Sequence, residues 1–238
     1  MRNPLKRLLR RGVEVARPAS DYKSAWNSAA VADAHDAILT GASPEDFERT
    51  GQSDAALLGR YLRGGEVVLN IGCGVGRVDK YLAPRVRELH AIDVSGEMIR
   101  RARARLGGFR NVHLREVGNQ EFLSAFDPGQ FDLVFSFLVL QHLEREDAFL
   151  YLRDAARVLE PGGWLVTQFP NFLFPAYTRA FLEGAEASPR SPGRVRAYTE
   201  PEVRHLLATA GFAIANLWFG GHQNQPAEIY VAAKTSPS

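Results

Sequence analysis

The sequence predicts an α/β fold: a mostly parallel sheet with helices packed on both faces. Three observations lead there. From about residue 66, short β-rich runs alternate with stretches of helical periodicity, and a parallel crossover needs a dozen or more residues, which a helix supplies. Residues 131–136 are apolar on both faces, as in a central parallel strand. The last two β-rich runs are separated by a short connection, which fits an antiparallel hairpin at the end of the sheet.

Taken in order, residues 24–37 and 44–61 read as two helices, a cap laid over the ligand edge of the sheet. Residues 66–71 are the first strand, and 78–82 lie in the helix after a glycine loop. A strand over 88–92 leads into a helix over 95–106, and 112–116 and 131–136 are two further strands. A helix over 144–159 places Ala148, Leu152, Ala155 and Leu159 on one face. Pro161-Gly162-Gly163 ends it, and 164–169 is the next strand. Residues 170–197 break the alternation with Pro170, Pro175, Pro189, Pro192 and several aromatics, a long irregular insertion of the kind that forms lids. Thr199-Glu200-Pro201-Glu202 is a capping box that opens a helix to Ala210, ended by Gly211. Residues 212–219 and 229–233 are the final strands.

The 238 residues fit one large domain or one domain with appendages, and 45% hydrophobic with 24% charged is ordinary globular composition. No run approaches the roughly 18–20 apolar residues of a membrane span. A net charge of +2 gives no reason to expect a nucleic-acid partner. Arg2, Lys6, Arg7, Arg10, Arg11 and Arg17 outnumber Glu14 among the first twenty residues. With Leu5, Leu8, Leu9 and Val13 at helical spacing, residues 1–17 read either as a peripheral membrane contact or as a solvated terminal helix. There is no apolar signal-peptide core, and Cys73 is the only cysteine. Both features suit a cytoplasmic chain. No Cys/His run has zinc spacing, so no metal is expected.

Gly72, Gly74 and Gly76 follow a strand and precede a helix, where glycine lets the backbone turn tightly against a ligand. The helix N-terminus offers free N–H groups. Asp93 closes the second strand seventeen residues after Gly76, where a carboxylate can accept from ribose hydroxyls. The G-x-G-x-G spacing differs from the G-x-G-x-x-G of dinucleotide sites.

In these residues the sequence resembles the class I S-adenosylmethionine-dependent methyltransferases, especially their small-molecule group. The resemblance covers roughly residues 66–234. It rests on four motifs in the family's order: Val68-Leu69-Asn70-Ile71-Gly72-Cys73-Gly74-Val75-Gly76, Ala91-Ile92-Asp93-Val94-Ser95-Gly96-Glu97-Met98-Ile99, Phe131-Asp132-Leu133-Val134 and Val158-Leu159-Glu160-Pro161-Gly162-Gly163. It implies a Rossmann-like seven-stranded, mostly parallel sheet with a terminal antiparallel hairpin. It also implies S-adenosyl-L-methionine as cofactor. Gly72, Cys73, Gly74 and Gly76 would belong to the cofactor loop, Asp93 would hold the ribose, and Val94 and Met98 would lie near the adenine. Asn119 and Gln120 follow the third strand, where the family often has an acid that reads the adenine amine, and Phe137 would approach the methionine half. Asn70 departs from the usual Asp or Glu at the loop's start. The implied organisation is a helical extension over 1–60 and a cofactor-binding domain over 61–238, with the lid-like insertion at 170–197.

Methyl transfer from a sulfonium is an in-line displacement in which the cofactor carries the activation. A base is needed where the acceptor is protonated and weakly acidic. His142, just past the fourth strand, and His222, in the turn between the last two strands, are the candidates, each weighed against a structural role. Arg190, Arg194 and Arg196 read as a solvated face or as partners for an acidic substrate group, and Arg100, Arg101, Arg103 and Arg105 as an outward helix face. The expected activity is methylation of an oxygen or nitrogen of a small-molecule acceptor. An NAD-dependent oxidoreductase and a non-catalytic module of the same fold are the alternatives, and a protein or RNA acceptor would need a more open surface.

Overall fold

The structure, a computed structural model, describes residues 21–119, 121, 123–186, 194–220 and 226–235. The basic segment 1–17, Gln120, Arg190 and His222 lie outside the described residues.

Seven strands form one sheet: β1 (Val67–Ile71), β2 (Glu88–Asp93), β3 (Val112–Glu116), β4 (Phe131–Ser136), β5 (Leu159–Pro170), β6 (Phe212–Gly220) and β7 (Glu228–Thr235). Their order is β3-β2-β1-β4-β5-β7-β6. β7 pairs antiparallel with both β5 and β6, and the other pairings are parallel. The chain moves outward from β1 to β3 and then returns to place β4 on β1's other side. That reversal leaves a crevice beyond the carboxyl ends of β1 and β4, where open α/β sheets bind ligands.

The strands are buried on both faces because alternate residues enter two cores. Leu69, Val134, Leu165 and Ile229 pack on one face against α5 (Arg145–Val158) and α7 (Glu200–Thr209). Val68, Leu133, Val166 and Ala232 pack on the other, with Leu58 of α2 (Pro44–Leu58) and Leu82 of α3 (Asp79–Leu82). Each Val, Leu or Ile side chain among them contributes about 1.5–3 kcal/mol on burial, so the sheet centre is the stiff platform.

The helix starts follow their caps. Ser43 accepts the Asp46 N–H at the start of α2, and Ser95 accepts the Met98 N–H at the start of α4 (Gly96–Leu106). Glu202 accepts the Thr199 N–H at the start of α7, the expected capping box. The first helix, α1 (Tyr22–Ile38), is kinked at Asp33, whose backbone is non-helical and whose carboxylate accepts from the His35 and Asp36 N–H groups.

Three expectations are corrected. The insertion after β5 is not irregular throughout, since α6 (Pro175–Glu186) occupies much of it. β5 starts at Leu159 rather than 164, because Leu159 already pairs with Phe131 and the register then shifts before Trp164 meets Leu133. The arginines of α4 are not simply outward charges: Arg100 and Arg101 bind Glu97, and Arg105 reaches Glu48 of α2.

Candidate active site

The glycine loop is tied to the end of β2. The Gly72 and Cys73 N–H groups donate to the Ile92 carbonyl at 2.8 and 2.9 Å. The Gly74 and Ser95 N–H groups donate to opposite oxygens of Asp93, each at 2.8 Å. Gly72 and Gly74 have φ of 76° and 54°, and a Cβ at Gly74 would stand 2.6 Å from Ile38 Cδ1. The loop is therefore covered directly by α1. Gly76, also at positive φ, packs beneath Leu106 and does not line the cavity, so its role here is close packing of loop against helix.

The crevice is a partly open cavity of about 100 Å³. Asn70, Gly72, Cys73 and Gly74 form its floor, and Asp93, Val94 and Met98 one wall. Asn119, Phe137 and His142 also reach it. Burial pushes Asp93 up to about 6, against the backbone bonds from Ser95, Gly74 and Val94 that favour its charged form. Burial also pushes the Cys73 thiol well up, so it stays protonated and serves as a filler.

Asn70 donates through Nδ2 to both oxygens of Asp79, at 3.0 and 2.9 Å. Asp79 is wholly buried, and burial raises it to about 6. The residue at position 70 is thus paired with a buried acid nine residues along, which does not itself line the crevice.

α1 crosses the mouth. Tyr22 donates to Asp147 at 2.7 Å and accepts the Glu144 N–H at 2.9 Å. Asn27 accepts from Ser95 Oγ at 2.7 Å, and Trp26 meets His142 edge-on at 4.9 Å between ring centroids. Asn119 accepts the Lys23 N–H through Oδ1 at 2.8 Å, so its carbonyl is engaged by α1. His142 sits in a short 3₁₀ turn after β4, with Nε2 3.1 Å from Gln141 Nε2. Arg196 is not solvated: it is buried, pairs with Glu144 and donates to the His142 carbonyl at 2.8 Å. β6 runs parallel to β1–β5, so its end at Gly220 lies on the crevice edge of the sheet.

Sequence reading missed several groups here. Arg77 lines the crevice and is buried against Asp54 at 2.7 Å and Thr50 at 3.1 Å. Glu228, nearly buried at the start of β7, accepts from Tyr177 and Gln168, and burial pushes it up to about 7. Elsewhere, strand pairing gathers Glu88, His90 and His113, a group that linear spacing concealed.

This geometry defines an α/β protein with a glycine-lined crevice at the switch point of its sheet. Comparisons with known proteins narrow the class. The methyltransferase-domain family model matches residues 68–163. A probable S-adenosylmethionine-dependent methyltransferase of Mycolicibacterium smegmatis is 31% identical over 150 residues, covering 63% of this chain and 53% of that one. A ubiquinone biosynthesis O-methyltransferase of Azoarcus sp. is 28% identical over 183 residues, covering 71% and 73%. The solved magnesium protoporphyrin IX methyltransferase of Synechocystis PCC 6803, with S-adenosylhomocysteine bound, has a TM-score of 0.68 at 20% identity, covering 90% and 98%. The chain spans about half the length of several curated relatives it matches. Over residues 68–163 the chain matches the methyltransferase-domain family, and it is similar to proteins named as S-adenosylmethionine-dependent methyltransferases. S-adenosylmethionine is the cofactor in the name of the Mycolicibacterium smegmatis relative. The residues present fit it: Gly72 and Gly74 present positive-φ backbone to the crevice, and the Asp93 carboxylate has acceptor capacity beyond its backbone bonds.

Proposed function

We propose that the chain transfers the methyl group of S-adenosylmethionine to an oxygen or nitrogen of a small-molecule acceptor. The observation that carries this is the Asp93 carboxylate, held by the Gly74 and Ser95 N–H groups in the wall of the switch-point crevice. In this reading Asp93 accepts from the ribose hydroxyls. Gly72, Cys73 and Gly74 present backbone to the methionine half, with Asn70 beneath them. Val94 and Met98 flank the adenine, and Asn119 lies at its amine end. Phe137 borders the methyl end.

The sulfonium supplies the electrophilic methyl carbon. The protein's part is to align the acceptor with it, exclude water and take the acceptor's proton. His142 is the group proposed to take that proton, since its ring lines the crevice next to Trp26. His222, which lies outside the described residues, is the alternative. A small acceptor is favoured because α1 covers the mouth and the walls at Trp26, Phe137 and Leu143 are apolar. We assign residues 1–60 to an extension that contributes this cap, 61–238 to the cofactor domain and 170–197 to a lid. Among the described residues no helix is long and apolar enough to cross a membrane.

Titration calorimetry with S-adenosylhomocysteine, followed by a labelled-methyl assay over small phenols, carboxylates and amines, tests the proposal. Saturable binding and label transfer are expected. No binding would overturn it, and binding without transfer across the acceptors would favour a non-catalytic module.

A further inference from the structure

Leu138 is the one non-glycine residue among those described with positive φ, at 61°. An L-residue rarely holds that conformation unless its surroundings fix it, and such strain gathers at functional sites. Leu138 lines the cofactor crevice directly after Phe137. Its N–H donates to Gln168 Oε1 at 3.3 Å. The other end of that amide, Nε2, donates to Glu228 Oε2 at 3.2 Å and to Gln141 Oε1 at 3.4 Å. Glu228 Oε1 accepts from Tyr177 of α6. Gln168 and Glu228 are both buried.

The direction of these bonds follows from chemistry. A backbone N–H only donates, so the Gln168 oxygen belongs on the Leu138 side and its NH₂ turns toward Glu228 Oε2, which accepts it. The Gln168 oxygen then satisfies an N–H that an amide flipped the other way would confront with another donor. We infer that Gln168 and Glu228 are positioning residues for the cofactor: Glu228 sets the orientation of the Gln168 amide, which holds the Leu138 turn in the shape that forms the crevice wall. This rests on the methyltransferase reading, but it is read out through binding.

The test is calorimetric S-adenosylhomocysteine affinity in two backgrounds. With Leu138 present, Gln168→Leu should weaken binding about tenfold, the factor that about 1.4 kcal/mol gives. Glu228→Gln, which can offer either end of an amide to Gln168, should weaken it about threefold, a smaller effect because a competent orientation remains open. Glycine adopts positive φ without cost. In the Leu138→Gly background, therefore, neither replacement should change affinity further. Thermal midpoints measured alongside identify any variant that fails to fold. Losses of equal size in both backgrounds would mean general destabilisation and would overturn the inference, as would unchanged affinity in the Leu138 background. Lack of binding by the unaltered chain would instead overturn the methyltransferase reading, and this inference with it.

Discussion

Asn70 and Asp79 form a buried pair in which one amide nitrogen bridges both carboxylate oxygens, at 3.0 and 2.9 Å. Where the family usually has an acid at the start of the glycine loop, Asn70 is therefore paired with one. Asn70→Asp should accordingly be harmful here, because it sets two buried carboxylates face to face. Its cost should be roughly 2–4 kcal/mol at neutral pH, the scale of an unpaired buried charge. Adding Asp79→Asn should recover most of the loss. Equal thermal midpoints for Asn70→Asp and the unaltered chain would sink this account.

A second prediction concerns pH and stability. Burial raises Asp79 and Asp93 to about 6 and Glu228 to about 7. A raised acid contributes stability that is complete below its unfolded value and lost as pH rises through its folded one. Glu48 behaves oppositely. Burial alone would raise it, but bonds from Tyr81, Arg105 and Lys80 hold it at about 2, so its contribution is lost as pH falls below the ordinary carboxylate range. His90, lowered by burial, also disfavours acid. The ligand-free chain should be most stable near about pH 4 and lose stability as pH rises toward about 7. Asp79→Asn should flatten the alkaline limb, and a melting curve series in which stability climbs steadily to pH 8 would contradict this.

Asp93→Asn tests the ribose contact. Hydrogen bonds to charged groups are worth about 1.5–3 kcal/mol each, so S-adenosylhomocysteine affinity should drop roughly 10- to 100-fold. For the unaltered chain, affinity should decline as pH falls through about 6. Flat affinity from pH 8 to 5 would argue that Asp93 does not meet the ligand in its charged form.

Gly74→Ala should weaken cofactor binding, since a Cβ strains this positive-φ position and the new methyl group would displace the tip of Ile38. Gly74→Ala with Ile38→Ala removes that collision and leaves only the positive-φ cost, about 1–2 kcal/mol. Partial recovery of binding is expected from the pair. No recovery would show that the covering helix is not what the loop avoids.

His142→Ala should lower kcat by about 10²–10⁴-fold if the ring takes the acceptor's proton, with cofactor affinity changed only a few-fold. Full turnover by this variant would remove His142 from the chemistry.

The sheet was legible because its strands obey simple rules. β3 and β4 have the bounds that their apolar runs suggest, and Gly211 and Ser95 mark helix ends that local chemistry requires. The cofactor loop and Asp93 were legible for the same reason: their spacing is a property of one strand–turn–helix unit. What escaped depends on tertiary contact. Glu228 and Gln168 become neighbours only when β7 pairs with β5, and Asp79 meets Asn70 only once α3 folds back over β1. Arg196 looked like a surface charge because its partner Glu144 is fifty-two residues away in the chain. Helix α6 was hidden by the prolines flanking it, which suggested loop where one of them, Pro175, begins the helix.

The Tyr22 hydroxyl, clasped between Asp147 and the Glu144 backbone, ties α1 across the crevice to the start of the helix behind His142. In the proposed reading, a spent nucleoside would leave past α1, and this clasp would resist that step. Residence time would then be governed by undocking of α1 rather than by contacts to the nucleoside itself. Tyr22→Phe should quicken departure of S-adenosylhomocysteine in stopped-flow displacement more than it alters events at the transferred carbon.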